Sequence, residues 1–204
     1  MILKNLRIEI LSMENKEKAK VLKRFFKTDK GEYGEGDIFL GLTVPESRKI
    51  AKKYSSLSLE EVKSLLESKI HEERLIALLI LVNNYQKSNE NIKKEIYNFY
   101  LKNTDKINNW DLVDLTADKI IGDYLLNNKK DILYKLAKSD NLWERRVSII
   151  STFQFIKNNE FKDVLNIAEI LLRDKHDLIH KAVGWMLREI GKRNLEALES
   201  FLNK

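Results

Sequence analysis

Residues 177–192 read DLIHKAVGWMLREIGK. Wound at about 100° per residue, Ile179, Val183, Met186, Leu187 and Ile190 gather on one side. Asp177, Gly184, Trp185, Arg188 and Lys192 fall within about 60° of Lys181 on the other. The segment is therefore an amphipathic helix whose tryptophan sits on its basic face, beside a glycine that leaves room over it. Two readings of Trp185 follow. It packs half-buried against a neighbouring helix, or it is an aromatic platform in a phosphate-binding stripe.

Two other stretches share this design: HEERLIALLILVNNYQ from residue 71 and LWERRVSIISTFQFIK from residue 142. Each opens with charged residues and then runs apolar. Taking Arg74, Trp110, Arg146 and Lys181 as markers, the spacings are 36, 36 and 35 residues. A period of about 36 built from helix pairs is that of an α-solenoid. The expectation is an all-α, right-handed stack of about six helix pairs with a concave basic groove, and the marker residues are expected to line that groove.

The composition agrees. The 204 residues, 43% of them hydrophobic, suit one domain spanning 1–204, and seven glycines with one proline are too few for a turn-rich β fold. Cysteine is absent, which excludes disulfides and thiolate metal sites. His176 and His180 lie four apart without a clear third ligand, so they read as polar residues opening a helix; neither metal nor cofactor is expected. No run approaches the ~20 apolar residues of a membrane span, and the N-terminus is interrupted by Lys4, Arg7 and Glu9. A soluble, cytoplasmic monomer is expected, associated with the nucleoid only if it binds DNA. The net charge of +6 permits a nucleic-acid partner.

Local signals place the remaining elements. Two helices are expected over about 2–13 and 15–27. The stretch 28–42 holds four of the seven glycines and is the main loop. Thr43 with Glu46, and Ser58 with Glu61, form capping boxes, and Pro45 sits in a first turn.

Two helices carry residues out of place. In the helix from 142, Arg146 lies amid Leu142, Ile149, Ile150, Phe153 and Ile156, whereas Glu144, Ser148 and Thr152 take the other side. An arginine so placed must find a carboxylate, a carbonyl or a phosphate. Arg145, at the edge of the arc, is expected to be solvated. The second is NNWDLVDLTADKIIGDYL, 108–125, read as one helix. Trp110 and Asp114 are four apart and share a face, while Asp111 and Asp118 lie further round. Either the carboxylates serve the helix N-terminus and Trp110 fills core, or Trp110 and Asp114 face a groove with Arg146 nearby.

NNWDLVD, LWERRVSII and IHKAVGWMLREIGK, with GEYGEGDIFLGLTVPESRKIAKKY (31–54), resemble the DNA alkylation repair family, the HEAT-like-repeat alkylpurine DNA glycosylases of the AlkD type. The resemblance spans about residues 15 to 193. It implies that Trp110, Asp114, Arg146 and Trp185 line a cleft holding alkylated duplex DNA. The aspartate acts on the sugar, the tryptophans pack on the deoxyribose edge and the arginine binds a phosphate beside the lesion. Arg188 and Arg48 match further basic positions; Lys181 and Lys192 join them by helix angle. A tyrosine common in the family's second helix is replaced here by Phe25 or Phe26, which lack the hydroxyl. Longer members carry a further C-terminal helix, which this chain is expected to lack.

The chemistry so implied is hydrolysis of the N-glycosidic bond of purines alkylated at N3 or N7. Such bases are cationic and leave readily, so one carboxylate that stabilises an oxocarbenium-like sugar and orients water suffices. Two tryptophan faces add cation–π attraction. The family is thought to leave the base stacked, and no pocket-like motif appears here. The alternative is a non-catalytic HEAT-like-repeat protein that binds branched or damaged DNA.

Overall fold

The computed structural model describes residues 1–203. It is all-helical, as the periodicity requires; among the described residues the β-type pairing is one isolated parallel bridge, Ile38 with Ile70. The chain forms two compact units, Met1–Leu112 and Val113–Lys204.

The first unit holds α1 (Ile2–Ser12), α2 (Lys16–Phe25), α3 (Val44–Lys53), α4 (Leu59–Leu66), α5 (His71–Lys87), α6 (Glu90–Lys102) and a short 3-10 turn at Thr104–Lys106. The helix α5 is the axis of this unit, with α3, α4 and α6 packed against it. Its run Leu75–Val82 is buried throughout, because three neighbours leave no face for water. Both capping boxes form: Glu46 accepts from the backbone N–H of Thr43 at 2.7 Å, and Glu61 from that of Ser58 at 3.0 Å.

No helix crosses 27–43, which contains the loop expected over 28–42. Its end is tied down by Glu72, whose buried carboxylate accepts from the backbone N–H groups of Leu40 (3.0 Å), Gly41 (2.8 Å) and Leu42 (3.3 Å). At Gly41 φ is +93°, and a Cβ there would run into the backbone of Asn15 and Ala19. Only glycine meets both demands.

Next comes α7 (Trp110–Asp114), which carries the chain across the unit boundary. The second unit continues with a π turn (Asp118–Gly122), α8 (Asp123–Leu126), α9 (Asp131–Leu136), α10 (Leu142–Ser151), α11 (Phe153–Lys157), α12 (Lys162–Leu171), α13 (Asp177–Gly191) and α14 (Leu195–Leu202). Here α10 is central: α9, α11, α12, α13 and the π turn all pack on it.

Two stretches read as single helices are broken. Residues 142–157 divide at Thr152. Three hydroxyls in five residues turn back on the ladder: Ser148 to the carbonyl of Arg145, Ser151 to Val147 and Thr152 to Ile149, at 2.6 to 2.7 Å. Such back-bonding competes with the helical bonds and bends the chain. Residues 110–126 divide after Asp114, where Thr116 N–H bonds the carbonyl of Val113 and the chain then passes into the π turn. Gly122 closes that turn so near Ser151 that a Cβ would meet the Ser151 carbonyl.

In α10 the side opposite Arg146 is buried as well. Ser148, Ser151 and Thr152 are as buried as Ile149 and Ile150, since helices cover α10 on several sides. By contrast, α13 keeps its assigned faces: Ile179, Val183, Met186, Leu187 and Ile190 are buried, and Lys181, Gly184 and Arg188 are exposed.

Candidate functional site

In the first unit, Trp110 is half-buried and seated on an aromatic floor. Its ring stacks on Phe26 at 5.1 Å and 17°, and Phe25 meets it edge-on at 5.7 Å. Phe26 stacks in turn on Phe39, and both rings pack against His71. Phe25 is 59% exposed while Phe26 is buried, so of these two phenylalanines Phe25 is the one that faces out. Trp110 therefore fills core on one side, as the first reading of it expected, while the rest of the ring reaches solvent. Arg48, on α3, is exposed.

Beneath Trp110 lies a charged cluster that the sequence reading missed. His71 is 2% exposed. Its Nδ1 lies 3.2 Å from Asp37 and its Nε2 2.8 Å from Asp111; Arg74 donates to the same Asp37 oxygen at 2.6 Å. Burial alone would pull the imidazole down, but Asp111 and Asp37 outweigh it and hold its pKa up at about 9. Burial would likewise raise Asp37, yet His71 and Arg74 hold it below the usual carboxylate range. Two cations and two anions thus share one dry site. The hint available was two charged runs, HEER and GEGD, with more acid and base than capping needs, but nothing in their spacing joins them.

This cluster corrects one expectation. Arg74, placed by the repeat in a groove, is 4% exposed and committed to Asp37 and the carbonyl of Ser68. Asp111 does the helix-end work foreseen for it, accepting from the backbone N–H of Leu112 at 2.9 Å as well as from His71.

In the second unit, Arg146 is 5% exposed and finds the partners its position demands. Its Nε and one terminal nitrogen donate to the two carboxylate oxygens of Asp114 at 2.9 and 2.8 Å, and the other terminal nitrogen donates to the carbonyl of Leu178. This is a two-pronged Arg–carboxylate pair. The Asp114 side chain stays 17% exposed, against 6% for Arg146, so the carboxylate is the member of the pair that water reaches. Asp118 is buried and turned to Lys119 and Lys157. Arg145 is not solvated: it pairs with Asp174 at 2.6 Å, because α12 and its following turn cover that edge.

On α13, Trp185 is half-exposed beside Gly184, where an added Cβ would meet nothing within 4 Å. Trp185 leans on Phe153 at 5.7 Å, and the ammonium of Lys157 sits 4.3 Å over that phenylalanine. Arg188 is exposed; Lys181 and Lys192 are exposed but paired with Asp177 and Glu189. His176 opens α13, its Nδ1 accepting from the backbone N–H of Leu178. Among the described residues no group of His, Cys, Asp and Glu could hold a metal, and no helix is long and apolar enough to cross a membrane.

A family model described as DNA alkylation repair enzyme matches residues 6–204. The chain belongs to the DNA alkylation repair family. Solved structures of similar fold include a chain from Enterococcus faecalis described as a predicted DNA alkylation repair enzyme, with TM-score 0.72 and 18% identity over 94% of this chain and 89% of that one. AlkD2 from Streptococcus mutans has TM-score 0.59 and 19% identity over 93% and 89%. The smu.31 protein of Streptococcus mutans UA159 has TM-score 0.57 and 19% identity over 100% and 90%. At such identities the likeness is one of fold. No curated protein matches the chain.

Proposed function

We propose that this member of the DNA alkylation repair family is a DNA glycosylase that hydrolyses the N-glycosidic bond of cationic N3- or N7-alkylated purines in duplex DNA, leaving the base stacked. The observation that carries the reading is the Asp114–Arg146 pair. A carboxylate gripped on both oxygens cannot rotate away, and it remains open to solvent on one side. The guanidinium fixes the carboxylate in place, and the negative charge of that carboxylate is what stabilises a developing positive charge at C1′. The guanidinium also offsets the repulsion a bare carboxylate would feel from phosphates.

In this reading Asp114 is the catalytic carboxylate and Arg146 its positioning residue. Trp110 and Trp185 lie against the deoxyribose edge. Arg48, Lys181, Arg188 and Lys192 meet phosphates, and Phe25 supplies an apolar contact where a tyrosine would add a hydrogen bond. An alkylated purine brings its own positive charge, so no general acid is needed on the leaving group.

The test is release of 7-methylguanine and 3-methyladenine from methylated duplex DNA, with and without the protein. Accelerated release of either base supports the glycosylase. Tight duplex binding with release at the spontaneous rate supports the other reading, a protein that only binds damaged or branched DNA.

A further inference from the structure

We propose that His71 is held as an imidazolium and is the positioning residue of Trp110, so that the aromatic face offered at α7 depends on one buried proton. The proposal rests on reading Trp110 as a DNA contact. Its physical content, the coupling of His71 to Trp110, does not.

The proton follows from the hydrogen-bond inventory. Both ring nitrogens point at carboxylate oxygens, Nδ1 at Asp37 and Nε2 at Asp111. A neutral imidazole has one N–H, so its other nitrogen would set a lone pair against an oxygen that only accepts. With both nitrogens protonated, each faces an acceptor. The charged groups facing the ring are Asp37 from the 27–43 loop, Asp111 from α7 and Arg74 from α5 itself. Adjacent acids on α5 are engaged elsewhere, Glu72 with the backbone of Leu40–Leu42 and Glu73 with Arg7. Deprotonation would take the cation His71 from two buried carboxylates at once, of which Asp37 keeps its pairing with Arg74.

Two routes connect this proton to Trp110. Asp111 directly follows Trp110, and its carboxylate is shared between His71 and the first turn of α7. The second route runs through rings. His71 lies 4.5 Å from Phe39 and 5.1 Å from Phe26, and Phe26 stacks on Trp110. A cationic ring is held on aromatic faces more firmly than a neutral one. Losing the proton loosens α7 at its N-terminus and the floor under Trp110 together.

The full chain, labelled with ¹⁵N in histidine and tryptophan, is titrated from pH 6 to 10 by NMR, with the indole N–H of Trp110 assigned by Trp110→Phe. Both ring nitrogens of His71 are expected to be protonated at pH 7.5, and the Trp110 resonance is expected to move with the His71 midpoint near 9. A bare ring nitrogen at neutral pH overturns the proposal, as does a Trp110 signal that stays still while His71 titrates. His71→Gln, which keeps bulk but not charge, should bind duplex DNA about tenfold more weakly and lose the pH dependence of the Trp110 signal. If that variant does not fold, the wild-type titration still decides. A protein that shows the coupling but releases no base refutes the glycosylase and leaves this inference standing.

Discussion

At the scale of the residue, three aspartates within one short stretch have three different tasks. Asp114 is held by Arg146 with one side to water, Asp111 is buried against His71, and Asp118 is buried against two lysines. Replacing each by asparagine separates them. Asp114→Asn is expected to bind DNA within a few-fold of wild type and to slow base release by at least about tenfold, or ~1.4 kcal/mol of transition-state stabilisation. Single-turnover release of 7-methylguanine checks it; a wild-type rate would remove Asp114 from the chemistry. Asp111→Asn leaves the buried imidazolium one anion short, so the loss should appear in the melting temperature, by about 1–3 kcal/mol. Arg146→Lys keeps the charge but cannot span both oxygens. It should lower release in parallel with stability, where Arg48→Ala should weaken binding alone.

At the scale of the element, two glycines make opposite predictions. Gly122 ends the π turn against the Ser151 carbonyl, and Gly122→Ala should force the turn and α10 apart, at a cost of about 1–3 kcal/mol by thermal melt. Gly184 lies mid-helix in open space. Gly184→Ala should stabilise α13 by up to ~1 kcal/mol, while its added methyl beside Trp185 weakens DNA binding if that face meets the duplex. A melt that rises with binding unchanged would take this part of α13 out of the interface. The broken helices teach a related lesson. The apolar spacing of 142–157 marks a helix, but the hydroxyls of Ser148, Ser151 and Thr152 decide where it bends.

For the whole molecule, charge sets the dependence on pH and salt. His71 has its folded pKa raised from 6.5 to about 9. Its contribution is therefore fully present below about pH 6.5 and lost as pH rises through 9. Asp37 and Asp174, both lowered, act in the opposite sense: their contribution is present above the ordinary aspartate pKa and disappears as pH falls through the folded values. Melting temperature should plateau between these limits and fall towards pH 10. A His71→Gln protein whose melt is as steep between pH 7 and 10 as wild type would refute the assignment. If Lys192 meets a phosphate, Lys192→Ala should reduce the salt slope of DNA binding by about one unit. An unchanged slope would place Lys192 outside the interface.

Much of what depends on local spacing was legible in the chain before it folded, though not the breaks within 110–126 and 142–157. The all-helical class, both capping boxes, the glycine-rich loop and the two faces of α13 all follow from residues within a turn or two of one another. The need of Arg146 for a partner was equally legible, because an arginine amid isoleucines is costly wherever it lies. Which partner it took, and how the acids were divided, was settled by packing. Arg74 and Arg146 occupy the same repeat position and look alike in the sequence. One is drawn to Asp37, 37 residues earlier, and the other to Asp114, 32 residues earlier. The physical reason is that ion pairs in a dry interior are chosen by which charges the packing strands together. Periodicity along one helix carries no information about the loop or helix that will be laid across it.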